Sequence, residues 1–320
     1  MKLATFEVGT PVGPERRLGV VDGDSLLDVT AGYAAILDAD GIRRPSRRAE
    51  DIVPPDLLEF LRTGDDAVQT ARTVLDWGFG VGDDVRGPGG ARIRYDTDEV
   101  RLLSPLPRPN SIRDFSVFEG HAADHEKPDV WYDLPVFYKG NPDSVVRPGA
   151  DVTWPSWEEN LDFELEVAAI IGSPGKDIDA ADAADHIAGF TIFNDFSARD
   201  VQFREMEMPF GPAIGKDFAN GLGPYFVTAD AFDKDGATVR TRVNGEQWMR
   251  GSLSDMYHSW GEMIEHASQG VTLHSGDVFG CGTIPGGCCL DLDRWIEPGD
   301  TIELEVDGIG TLTHTVVPAD

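Results

Sequence analysis

Apolar and polar positions alternate along this chain mostly with strand period. Leu3–Val8, Leu18–Val21 and Leu26–Val29 read as short strands separated by Gly and Asp turns. Ala31–Leu37, Pro55–Leu61 and Asp66–Trp77 carry apolar residues at helical spacing. From residue 78 to 98 Gly and Asp dominate; Gly78-Phe79-Gly80-Val81-Gly82 lacks the preceding strand and following helix of a nucleotide-binding loop, so the stretch reads as a boundary. Beyond Val100 the signals are mainly β. Leu102–Leu106 is punctuated by prolines, and Leu134–Tyr138 precedes the turn Gly140-Asn141-Pro142. Val239–Val243 runs into Asn244-Gly245, a hairpin signal, and Trp260–Ala267 reads as a lone helix. Ser275–Val278 and Pro298–Thr301 each form a turn that opens a strand. The pattern predicts an α+β chain, mostly β, with an antiparallel or mixed architecture. It divides into a small N-terminal α+β domain (1–80), an acidic Gly-rich linker (81–99) and a larger domain (100–320).

One stretch organises the rest. From Leu161 to Ile171 polar and apolar residues alternate and then give way to an apolar run, so a strand enters the core. Side chains two apart share a strand face, which places Glu164 and Glu166 on one side about 6.8 Å apart along the strand. Two carboxylates that close repel unless water, a proton or a cation intervenes. A bound divalent cation would resolve the repulsion.

Composition narrows the reading. The 320 residues hold 27 basic and 57 acidic side chains, a net charge of −30, and only six of the bases are lysines. The acids are scattered without a tail, the pattern of a solvated surface in a salt-adapted protein, and such a surface disfavours nucleic acid as a partner. No apolar run is long enough for a membrane span, and no basic-then-apolar leader opens the chain, so a cytoplasmic protein is expected. Cys281, Cys288 and Cys289 form no CxxC pair and read as small buried thiols rather than a zinc or disulfide framework.

Further candidate chemistry lies on both sides of the central stretch. Asp114 and His121 are seven apart, which on a helix puts them on one face, where a carboxylate for a metal and a histidine for activating water could meet. The alternative is a solvated helix start with an incidental histidine; His125 and Glu126 are further candidates. Ser197-Ala198-Arg199-Asp200 fits a capping box, with Asp195 between the strand Thr191–Phe193 and the helix start. Taken alone, Asp195 reads more readily as a turn residue bonding its own backbone. Lys216, amid Gly and aromatic residues, could neutralise a carboxylate pocket or make an ordinary surface pair.

Taken in order, Asp114 with His121, Glu164-Leu165-Glu166, Asn194–Asp200, Gly211-Pro212 to Lys216, and Gly282-Thr283 resemble the fumarylacetoacetate hydrolase (fumarylacetoacetase) family from about Val100 to the C-terminus. The resemblance implies a mixed β-roll or β-sandwich core, a homodimer, and a magnesium ion, with calcium or manganese as alternatives, held by Asp114, Glu164, Glu166 and Asp195. An all-oxygen donor set independently suits a hard divalent ion. By the same resemblance His121 is the general base, Lys216 steadies developing negative charge, and Tyr138, Arg199, Gln202 and Thr283 contact substrate. The expected activity is hydrolysis of a C–C bond in a diketo acid. A same-fold decarboxylase, isomerase or dehydratase acting on 2-oxo acids, and a non-catalytic calcium-stabilised β protein, are the alternatives. The chain departs from fumarylacetoacetase at Ser116, where that enzyme has tyrosine, and lacks a clear match to its substrate-carboxylate arginine. The acid assisting His121 is open between Asp291 and Glu119.

Overall fold

The computed structural model describes residues 1–82, 84–122 and 126–319. Strands β1 (Lys2–Thr10), β2 (Gly13–Asp22) and β3 (Ser25–Asp28) form an antiparallel meander. Asp28 ends it and caps α1 (Val29–Ala39), its carboxylate accepting from the Ala31 N–H. Helices α2 (Pro45–Ile52), α3 (Leu57–Thr63) and α4 (Asp65–Phe79) follow, and β4 (Arg94–Asp96) returns to pair with β3. Then come β5 (Ser111–Phe115), α5 (Asp129–Asp133), β6 (Phe137–Gly140), β7 (Asp151–Thr153), β8 (Leu165–Ile171) and β9 (Ile187–Asp195). Helices α6 (Arg199–Met206) and α7 (Ile214–Asp217) lead into β10 (Asn220–Thr228), β11 (Thr238–Val243) and β12 (Glu246–Ser252). The chain closes with α8 (Trp260–Ser268), β13 (Asp277–Gly280), α9 (Cys289–Leu292), β14 (Thr301–Val306) and β15 (Gly310–Val317).

The class is α+β, mostly β, with two mixed sheets. The larger runs β4-β3-β2-β1-β10-β9-β8-β13-β5-β6, with every neighbour antiparallel except the parallel pair β13–β5. The smaller runs β12-β11-β14-β15-β7, and only β15–β7 is parallel. Asn244 and Gly245 both adopt positive φ in the β11–β12 hairpin, as the dipeptide predicts. The expected helices at Ala31–Leu37, Asp66–Trp77 and Trp260–Ala267 lie inside α1, α4 and α8, while Pro55–Leu61 falls two residues early of α3. The segment 81–99 contributes β4 to the larger sheet, and β1 hydrogen-bonds to β10, so strands from both ends of the chain share that sheet.

Strand β8 is buried on both faces, which explains its unbroken apolar run. Leu165, Val167, Ala169 and Ile171 face the core between the sheets, while Ala168 and Ile170 face a second core shared with α3 and α4. Glu166, two residues before Ala168, belongs to that second face.

On β15 the inward positions are Leu312, His314 and Val316, so a histidine occupies a place the alternation reserves for apolar side chains. His314 is fully buried against Phe196, and among the described residues neither ring nitrogen makes a well-formed hydrogen bond. Burial lowers its pKa to about 4, with the Arg147 backbone pulling weakly the other way. The unfolded chain therefore takes up a proton below about pH 6.5 that the folded protein refuses, so stability falls with pH from there toward pH 4. We expect this one group to account for up to ~3 kcal/mol of acid destabilisation. Urea denaturation across that range should show a flatter pH dependence in His314→Leu than in the parent chain; parallel curves would exclude His314 as a source.

Candidate active site and metal centre

The site forms where four strand ends of the larger sheet come together. Asp114 lies on β5 opposite Tyr138 of β6, Glu166 lies on β8, Glu164 just precedes β8, and Asp195 closes β9. Glu164, outside the ladder proper, is fixed by a bridge to Cys288 and by the Asn194 side chain, which accepts its N–H. One carboxylate oxygen from each of Asp114, Glu164, Glu166 and Asp195 falls within 4.8 Å of the others, and all four residues are buried.

This closeness depends on Gly280, which β13 places between β8 and β5 in register with Ala168 and Asp114. A Cβ there would stand 2.4 Å from Asp114 Oδ1 and 2.8 Å from Glu166 Oε2.

Two cations partly offset the charge. Lys216 donates to Glu164 and Asp195, and Arg199 donates to Glu164 and, through two nitrogens, to Asp162. Burial alone would raise the pKa of Glu164, but Lys216, Arg199 and His121 pull it well below the ordinary range. Burial would likewise lower that of Lys216, yet Asp195 and Glu164 hold it protonated and raise it. Asp114, Glu166 and Asp195 are pushed up, first by burial and then by neighbouring carboxylates. Among the described residues, Asp114 Oδ1, Glu166 Oε1 and Asp195 Oδ1 are buried without a hydrogen-bond partner. Lys216 and Arg199 are outnumbered by the buried carboxylates, the more so because Arg199 is shared with Asp162, and a divalent ion would offset the excess negative charge. Orphaned oxygens, net charge and an all-oxygen donor set therefore fit a hard divalent cation.

A pocket of about 320 Å³ opens over the cluster. Asp114, Glu164, Glu166, His121 and Lys216 line it, as do the expected substrate residues Tyr138, Arg199, Gln202 and Thr283. Asp195 is fully buried and reaches the site by accepting from the Tyr138 hydroxyl at 2.7 Å and from Lys216. Arg199 faces the pocket with its guanidinium engaged, donating also to Gln202 Oε1.

His121 and Asp114 do share the pocket, but not by the predicted route. Asp114 is in a strand and His121 in a turn beyond it, so the helical spacing argument fails: sheet pairing claims Asp114 before a helix can begin. His121 Nδ1 lies 3.1 and 3.2 Å from the two oxygens of Asp291, while Nε2 points toward Glu164 Oε1 at 3.9 Å. Of the two candidate acids, Asp291 is the one in contact with His121, and it is itself held by the backbone N–H groups of Ala122 and Gly286 at 2.8 and 2.9 Å. Burial would raise its pKa, but those contacts and His121 hold it below the usual value. Glu119 instead accepts from the Tyr132 hydroxyl. Glu126 does not line the pocket, and His125 lies outside the described residues.

The capping box at Ser197 also fails. Ser197 extends a short strand and donates to the Asp195 carbonyl, while Asp200 accepts from Asn160. The start of α6 is served by Glu158, which accepts from the N–H groups of Asp200 and Val201. Sequence reasoning missed Asp162 and Gly280. The first was within reach, because Asp162, Glu164 and Glu166 continue one alternation; the second leaves no local signal.

Comparison with known proteins follows the same lines. The chain matches the profile of the fumarylacetoacetate (FAA) hydrolase C-terminal domain over residues 112–317. It is 34% identical over 308 residues to oxaloacetate tautomerase YisK of Bacillus subtilis (strain 168), covering 93% of this chain and 94% of that protein. Fumarylacetoacetate hydrolase from psychrophilic Exiguobacterium antarcticum shares 28% identity over 99% of this chain and 100% of that one, with a TM-score of 0.73. Maleylpyruvate hydrolase from Sphingobium sp. SYK-6, in complex with manganese(II) ion and pyruvate, shares 25% identity over the whole of both chains, with a TM-score of 0.70.

Gly280→Ala should lower divalent-cation affinity at least about tenfold, as loss of a supporting contact does in metal sites, while circular dichroism shows the fold retained. Unchanged affinity by calorimetry would show that the cluster tolerates spreading. Because three of the carboxylates hold protons above the ordinary range, cation affinity should rise with pH and binding should release protons. Calorimetric heats that do not vary with buffer ionisation enthalpy would contradict this.

Proposed function

Because the chain belongs to the fumarylacetoacetate hydrolase family, we propose that it is an enzyme that moves a proton at the carbon beside the carbonyl of a small 2-oxo acid. Keto–enol tautomerisation of oxaloacetate is the first candidate reaction. One observation carries the reading: His121 is held through Nδ1 by Asp291, with Nε2 turned toward a buried carboxylate cluster that fits a divalent ion. The pocket volume lies at the small end of ligand sites, which suits a compact diacid. The curated relative quoted above bears the same activity in its name.

Asp114, Glu164, Glu166 and Asp195 would hold the cation, magnesium in the first place and manganese or calcium as alternatives. When bound, it would polarise the 2-oxo and carboxylate oxygens of the substrate. His121 Nε2 would take the enol proton and return it to C3, and run the reverse for enolisation. Asp291 accepts from Nδ1–H and so stabilises the imidazolium between the two transfers. Lys216 keeps Glu164 charged, contacts Asp195, and would add positive potential where enolate charge develops. Tyr138, Arg199, Gln202 and Thr283 shape the pocket wall that orients the substrate.

Cleavage of a C–C bond in an acylpyruvate, the activity the sequence motifs suggest first, is the second reading. It is favoured by likeness to a hydrolase with manganese and pyruvate bound, and by the suitability of a His–Asp pair for drawing a proton from water. We place the expected homodimer contact at Phe203, Met206, Met208, Phe210 and Ile214, apolar side chains exposed beside the pocket.

The test is the decay of enolic oxaloacetate with magnesium or manganese at high salt, run beside acylpyruvate cleavage and deuterium incorporation at C3. His121→Ala should slow enol decay and isotope exchange about 10²–10⁴-fold, the span of general acid–base catalysis, with cation binding retained. Acylpyruvate cleavage with enol decay at the buffer rate would install the second reading; full activity of His121→Ala would remove both.

A further inference from the structure

The thiol of Cys288 takes no part in the chemistry above, yet its sulfur lies 3.9 Å from His121 Nδ1, the nitrogen held by Asp291. We propose that His121, Cys288 and Asp291 form a second metal site, selective for zinc-like ions over magnesium, and that its occupancy silences the base.

Geometry carries the site. A tetrahedral zinc with ordinary bonds separates its nitrogen and oxygen ligands by about 3.3 Å and its nitrogen and sulfur ligands by about 3.6 Å. The observed separations are 3.1 Å for His121 Nδ1 to Asp291 Oδ1 and 3.9 Å for Nδ1 to Cys288 Sγ. The three ligand atoms together lie within 4.8 Å of one another. They are also held in place. Cys288 bridges to Glu164 through its backbone, its sulfur accepts from the Asp291 N–H, and Asp291 is pinned by Ala122 and Gly286. The two sites differ in chemistry. The carboxylate cluster offers oxygen alone, whereas this triad offers nitrogen, sulfur and oxygen, a donor set that ranks zinc above magnesium.

Occupancy changes the proton balance. The Cys288 S–H bond breaks, an S–metal bond forms, and the proton passes to buffer; thiolate and carboxylate then neutralise the divalent charge. The lone pair of Nδ1 goes to the ion, so the single proton of neutral His121 resides on Nε2. That nitrogen faces the pocket, and once protonated it can no longer accept a proton. The silencing rests on His121 being the base proposed above; the site itself does not.

Cobalt(II) reports the site directly, because only a thiolate ligand gives the intense near-ultraviolet sulfur-to-cobalt charge-transfer band. Titrated into full-length protein already saturated with magnesium, cobalt should raise that band to saturation at one equivalent, and zinc should abolish it. Cys288→Ser should lack the band while keeping the Asp291 N–H contact through its hydroxyl. If that variant does not fold, Asp291→Asn should weaken cobalt affinity at least about tenfold. Zinc should inhibit turnover of the magnesium-loaded parent chain, and Cys288→Ser should need at least about tenfold more zinc for the same loss. No band in the parent chain, or a band surviving in Cys288→Ser, overturns the site. A Cys288-dependent band with turnover untouched by zinc upholds the site and overturns His121 as the base.

Discussion

Four carboxylates buried within a few ångströms of one another are the constraint on which the rest of this structure turns. Lys216 and Arg199 offset part of their charge and are drawn into the interior to do so, each in contact with Glu164. Arg199 in turn needs Asp162, and Asp162 anchors the loop before α9 by accepting from the N–H groups of Cys289 and Leu290. Thus a shell of buried ionic groups extends from the cluster into the fold, and each member is tolerable only because of the next. The residual charge, on oxygens that no donor among the described residues reaches, is what makes the site receptive to a cation or to protons.

That arrangement was partly legible in the sequence, and the reason is periodicity. A strand has period two over any length, so Glu164 and Glu166 had to share a face, and the apolar run after them had to carry that face into the core. The same rule would have added Asp162. The Asn244-Gly245 hairpin was readable because its turn demands positive φ. Local patterns raised Asp114, Asp195, His121 and Lys216 only as candidates beside plainer structural readings, and the family resemblance tipped the balance.

Local rules failed where long-range pairing decides. Asp114 and His121 have helical spacing, yet β5 is drawn into the sheet by β13, and His121 reaches the pocket from a turn whose shape depends on Asp291. Ser197 and Asp200 have capping-box spacing, but Glu158 reaches the helix start first. Gly280 matters because of what β5 and β8 bring to either side of it, which its neighbours in sequence do not record. The expected linker at 81–99 contributes β4 to the larger sheet, and hydrogen bonds between β1 and β10 tie the N-terminal strands to it.

The parallel pair β5 with β13 joins Asp114 to Gly280 across more than half the chain. Contacts between residues so distant in sequence carry a large loop-closure entropy and form slowly. The pocket therefore cannot pre-exist as a local element that ripens early; it comes into being only as the sheet closes. A cation held there would leave the rate of folding almost untouched and act instead as a latch, slowing the loss of the finished structure.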